Sequence, residues 1–252
     1  MPKAGQAYVQ PLSLAWRVNH TIPYLIGGTT FLLGSYQYLP SISNYLLGGW
    51  LFTIGSTGFL YADLHEWWKN NRIGCAFDEG YEEDFEASVG KHCDSGFSMY
   101  GKYQRAENGM NFAFSAVGSL LYLIGSIMFI PDLDLIVEGT IVFIPGSLVI
   151  FLSQMWKLYR AGCAPSGPNE GRVYSERRFH LSVLFEDWPA VGVDAGAGLG
   201  GFAYCVGSGL FLPGSGAAVT TAAGWFIFGG TCFTISGLFI IYRYFFTLNY
   251  AH

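Results

Sequence analysis

Six stretches of the chain, 22–39, 45–63, 112–130, 135–156, 195–212 and 218–241, are predominantly apolar, and the charged residues collect between them. Each run is 18–24 residues long. A helix rising 1.5 Å per residue needs about 20 residues to cross a ~30 Å hydrocarbon core. Membrane strands would instead alternate polar and apolar side chains over about ten residues. Segments such as Ile141–Ile150 do not alternate. The pattern predicts an all-α polytopic membrane protein with six transmembrane helices.

The runs pair off. Pro40–Asn44, Pro131–Asp134 and Pro213–Ala217 are short connections within pairs, whereas 64–111 and 157–194 are long and hydrophilic. The predicted organisation is therefore an N-terminal segment with hairpin one over 1–63 and an acidic inter-repeat segment over 64–111. Hairpin two follows over 112–156, a second hydrophilic segment over 157–194, and hairpin three with a tail over 195–252.

Composition removes the soluble reading. Hydrophobic residues make up 51% of the chain and Gly adds 34 positions, while charged residues are only 12%, about half the ~25% usual for soluble domains. A net charge of −5 gives no basic footprint for nucleic acid. All 13 Lys and Arg residues fall before the first run, after the last, or in the two long segments. Six crossings put all of these on one side. The positive-inside rule makes that side the cytosol, matrix or stroma, in an organellar or bacterial inner membrane. Trp67, Trp68, Trp156, Tyr159, Tyr242 and Tyr244 close the even-numbered runs there, as an interfacial aromatic belt would.

The three pairs also repeat one another. The first helix of each carries Leu33-Gly34-Ser35, Ile124-Gly125-Ser126 and Val206-Gly207-Ser208, with Pro five residues after each Ser. A further Gly stands seven residues before the motif glycine, at Gly27, Gly118 and Gly200. The second helices carry Gly55-Ser56, Gly146-Ser147 and Gly230-Thr231. Residues seven apart share a helix face, so Gly27 and Gly34 cut a groove in which a partner backbone sits close. The adjacent hydroxyl can hydrogen-bond across it. These fifteen positions are the predicted packing sites between the arms of each hairpin.

The repeated Gly-Ser segments resemble the YrhK-like family of two-helix membrane domains, here in three tandem copies covering half to three-fifths of the chain. What the resemblance implies is a fold; it brings no catalytic residues.

Reactive chemistry is sparse. His20, His65, His92, His180 and His252 include no i, i+4 pair, and no G-x-S-x-G or phosphate-binding loop occurs. No catalytic, cofactor or metal residues are therefore predicted, and bound lipid is the expected ligand. Transport would need ionisable groups within spans. Asp63, Glu138 and Asp194 are the candidates, and Glu138, about one turn into the fourth run, is the deepest. The acidic stretch 78–86, with Phe77, Tyr81 and Phe85 alongside, reads either as a solvated acidic loop or as a docking segment for a basic partner.

The expectation is a non-catalytic accessory or scaffolding subunit of a larger complex in a bioenergetic membrane, respiratory or photosynthetic. Its partners would be the lipid bilayer and other membrane subunits. The alternatives are a small solute or ion transporter or channel, and a stand-alone lipid-organising protein.

Overall fold

A computed structural model describes residues 13–79, 96–163 and 179–247. They form six long helices: α1 Leu14–Gln37, α2 Tyr45–Glu79, α3 Gly96–Met128, α4 Ile136–Gly162, α5 Trp188–Phe211 and α6 Val219–Ile241. A six-residue π turn, Tyr242–Thr247, continues α6. No strand occurs among the described residues. Most of the acidic stretch 78–86 lies outside them, as do Lys3, Lys91, Arg172, Arg177 and Arg178.

Helix ends follow from local chemistry. Ser13 caps α1, its hydroxyl accepting from Trp16 N at 3.1 Å, and Asp187 caps α5 through Ala190 N at 3.3 Å. Each satisfies an amide that the first helical turn leaves without a carbonyl. Between α5 and α6 the chain turns through Gly214 and Gly216, at φ 85° and 70°, a region glycine enters without steric penalty. The helices run past the apolar stretches: α2 continues to Glu79 and α4 to Gly162, so much of what reads as hydrophilic linker is helix.

Each helix packs against its neighbours in sequence, and α6 packs back onto α1, closing a six-membered ring. Rings on opposite helices touch across its axis. Phe31 on α1 lies 6.1 Å from Phe143 on α4, Phe52 on α2 6.0 Å from Tyr204 on α5, and Tyr122 on α3 6.4 Å from Phe233 on α6. Tyr122 and Phe143 stack at 4.3 Å, and Tyr38, Phe129 and Phe226 extend the cluster toward the end with the short connections. Each such aromatic pair adds about 0.5–1.5 kcal/mol beyond the area it buries. The ring has a solid aromatic centre.

Its outer surface is the reverse of a soluble protein's. Ile54, Val117, Leu120, Ile141, Leu152, Leu199, Phe228 and Leu238 are all exposed. Four segments are long and apolar enough to cross a membrane: 109–128 within α3, Ile136–Gly162, Trp188–Phe211 and Val219–Thr247. Helices α1 and α2 fall short of that apolarity, because Thr29, Thr30, Ser35, Gln37, Thr53, Ser56 and Thr57 interrupt them. Most of these hydroxyls donate to their own helix. Thr29, Thr30, Thr53 and Thr57 reach the carbonyls of Leu25, Ile26, Gly49 and Thr53, each at 2.8 Å, the internal satisfaction an apolar setting requires.

Candidate functional site

The glycines set how closely the helices approach. A methyl group at Gly27 would lie 3.1 Å from the Gly55 carbonyl oxygen, and one at Gly118 3.2 Å from that of Gly146. A methyl at Gly34 would lie 2.9 Å from the Phe52 ring, one at Gly125 3.0 Å from the Gly139 carbonyl oxygen, and one at Gly207 3.2 Å from the Ala222 carbonyl oxygen. In the third pair, a methyl at Gly229 would lie 3.1 Å from the Gly200 carbonyl oxygen. Gly230, one residue on, turns instead to α1, where an added methyl would lie 2.5 Å from Leu32 Cα. Thr231 is half-buried and donates to Ile227 O at 2.8 Å within its own helix, as Thr57 does. The third pair is therefore offset by one residue from the Gly230-Thr231 register: Gly229-Gly230 takes the place of Gly55-Ser56.

The serines work between pairs as well as within helices. Ser56 and Ser126 hydrogen-bond at 2.8 Å between α2 and α3, and Ser35 meets the Tyr204 hydroxyl at 2.8 Å between α1 and α5. Ser147 donates to Phe143 O on its own helix. Ser208 is fully buried in α5.

Glu138 stands exposed on the first turn of α4, where a carboxylate faces the positive end of the helix dipole. It lines no part of the interior. Asp63 and Asp194 do, in a chamber at the opposite end of the ring, where α1, α3 and α5 approach it from their N-terminal halves and α2, α4 and α6 end. Its volume is ≈ 60 Å³, room for a few water molecules.

Every helix furnishes the chamber or supports it. Tyr24 and His20 come from α1, Asp63 and Glu66 from α2, Gln154 and Lys157 from α4, Asp194 from α5, and Arg243 and Tyr244 from the π turn after α6. Ser119 on α3 donates to Asp63 Oδ2. On both α2 and α4 the polar residues are three apart, one face of a helix. The π turn, a geometry frequent at functional sites, brings Arg243 within 3.0 Å of Asp187 Oδ2. Lys157 Nζ lies 3.7 Å from Glu66 Oε2 and 5.3 Å from the centre of the Phe112 ring. Tyr24 shares a 2.9 Å hydrogen bond with Ser236, which donates to Val193 O at 2.7 Å.

Around the rim, Trp16 stacks on His20 and His65 at 4.9 and 5.3 Å, and Arg17 donates to Tyr244 O at 3.0 Å. A smaller polar group bridges α3 and α4. Ser115 and Ser153 hydrogen-bond at 2.8 Å, and Ser153 also engages Asn111. Cys205 and Cys232, the two cysteines of the last hairpin, are free thiols.

The sequence singles out Asp63 and Asp194 as ionisable candidates but assigns no role to Glu66, Gln154, Lys157 or Arg243. The signal was present in the paired spacings Asp63/Glu66 and Gln154/Lys157, which put ionisable and amide groups on one face where an apolar run ends.

Compared with protein-family models, curated proteins and solved structures, the chain matches none of them.

Proposed function

We propose that this chain is a non-catalytic integral-membrane scaffolding subunit, crossing the bilayer six times as three repeated hairpins. The observation that carries the reading is the aromatic centre. Phe31, Phe52, Tyr122, Phe143, Tyr204 and Phe233 touch across the ring axis, so the interior holds the helices in place and leaves no lumen between those opposed residues. Four segments are apolar and long enough to span, and the internally bonded threonines of α1 and α2 fit those helices to the same role. The equivalent close approaches Gly27/Gly55, Gly118/Gly146 and Gly200/Gly229 support a threefold repeat. The YrhK-like resemblance is part of the same reading.

In this reading the Lys- and Arg-bearing side faces the cytosol, matrix or stroma, and the hydrophilic segments there hold neighbouring subunits. Lipid fills the exposed apolar face. A respiratory or photosynthetic assembly is the proposed host, since such complexes recruit many membrane subunits that have no chemistry of their own.

A transporter is the rival, favoured by the ionisable chamber. Solubilisation of native membranes in mild detergent separates the two. A scaffolding subunit elutes in a particle several times its own 27.7 kDa mass plus detergent. Elution near that mass, together with solute flux by the purified chain in liposomes, refutes the proposal.

A further inference from the structure

We propose that residues 179–188 lie flat in one leaflet of the bilayer as an interfacial anchor, with Leu181, Phe185 and Trp188 seated at the boundary between lipid headgroups and acyl chains. The proposal rests on the reading of α5 and α6 as membrane-spanning.

Protein contacts hold this segment in place between α4 and α5. His180 N donates to the carbonyl of Gly162, the last residue of α4, at 2.9 Å, and the Phe179 ring stacks on Tyr159 at 6.2 Å. The chain then makes one helical turn, Leu181–Leu184, and a 3-10 turn, Phe185–Asp187. Leu184 is buried, and Arg243 reaches Asp187 at 3.0 Å. A segment tied down at both ends and in its middle presents the same side chains outward at all times.

Those outward side chains are apolar. Leu181 is 61% exposed, Phe185 53%, and Trp188 is exposed beside them. Positions i, i+4 and i+7 share one face of a helical segment, and an apolar face left open marks an interaction surface.

Placement selects lipid as its occupant. Trp188 opens the segment Trp188–Phe211, and its ring lies 5.2 Å from Tyr242, near the end of Val219–Thr247. Both segments are long and apolar enough to cross a membrane. Tyr242 stacks in turn on Phe246 at 6.0 Å, and both rings are exposed. The open face is thus continuous with the outer surface of α5 and α6 and sits where those helices leave the hydrocarbon. Trp and Tyr favour that level, because the ring is buried while its N–H or O–H stays wet. An apolar-faced segment too short to cross lies in the interface plane instead.

The test uses the purified full chain reconstituted in phosphatidylcholine vesicles. Leu181→Trp and Phe185→Trp each add one indole, read as the difference in emission from the unsubstituted chain. Leu199→Trp, exposed and halfway along α5, is the control. Quenching is compared for lipid brominated near the glycerol end of the acyl chain, for lipid brominated near its methyl end, and for aqueous iodide. At 181 and 185 the glycerol-end bromine should quench about twofold or more better than the methyl-end bromine, with iodide weakest. At 199 the order of the two lipids should reverse. Iodide quenching without lipid quenching at 181 and 185 overturns the proposal, because the face then stands in water, open to a soluble partner. Protection from all three quenchers overturns it too, because protein then covers the face. If the indole at 199 escapes both lipids, the spanning reading fails and the anchor with it; if only those at 181 and 185 escape, the anchor alone fails.

Discussion

Closure of the ring rests on two glycines that face each other's helices, Gly28 on α1 and Gly230 on α6. A methyl group at Gly28 would sit 2.8 Å from the Phe233 carbonyl carbon and oxygen and from Thr234 N. At Gly230 it would sit 2.5 Å from Leu32 Cα and 2.7 Å from Leu32 N. All of these are backbone atoms, which no rotamer change can move. Ordinary contact needs about 3.5–4.0 Å, so alanine at either position must push α1 and α6 apart by about 1 Å. A gap of 0.5–1 Å forfeits a quarter to a half of each dispersion well it opens, and overpacking of this kind costs about 1–3 kcal/mol. For a chain of this size that lowers the melting temperature by about 2–12 °C, at 2–4 °C per kcal/mol. The geometry makes a sharper statement about Gly28→Ala with Gly230→Ala. One outward shift of α6 relieves both clashes, so the double variant should lose clearly less than the sum of the singles, a coupling that double-mutant cycles resolve. Gly209 and Gly224 serve as controls: they are helical, exposed, and have nothing within 4 Å of an added methyl. Alanine there should raise stability by about 0.5–1 kcal/mol. Intrinsic tryptophan fluorescence during thermal unfolding in detergent reads all five variants. Unchanged melting in both singles, or strict additivity in the double, would refute the account of ring closure.

Two further outcomes follow from the polar contacts. Arg243→Met should destabilise by about 1.5–3 kcal/mol, because it removes a 3.0 Å charge-assisted contact to a carboxylate that is only 10% exposed. Adding Asp187→Asn should recover part of that loss while keeping the α5 cap, which thermal unfolding of both variants will show. Ser56→Ala and Ser126→Ala should each cost about 0.6 kcal/mol, the average for hydrogen bonds between membrane helices. Their effects should overlap in the double variant, since one 2.8 Å bond joins the two residues; denaturation in mixed detergent measures the coupling.

Residue order alone determined that the chain is helical and where its apolar stretches lie. Apolar runs of spanning length cannot leave backbone amides unsatisfied in hydrocarbon, so they fold as helices. Gly27, Gly34, Gly118 and Gly125 mark the contact faces through the seven-residue spacing that any helix imposes. Those properties belong to single helices and short connections, which is why they were legible. The register of the third pair was not: Gly229, Gly230 and Thr231 are adjacent small residues, and only packing against Gly200 and Leu32 decides which of them faces which helix.

Closure and the chamber belong to tertiary structure for a related reason. That α6 returns to α1 depends on the summed crossing of six helices, a quantity no local pattern carries. Once the ring closes, Asp63, Gln154, Lys157 and Asp194, far apart in sequence, line one cavity. Glu138, which depth along a single run had favoured, is left at the opposite end and exposed. Depth is measured along one helix, but enclosure is a property of all six.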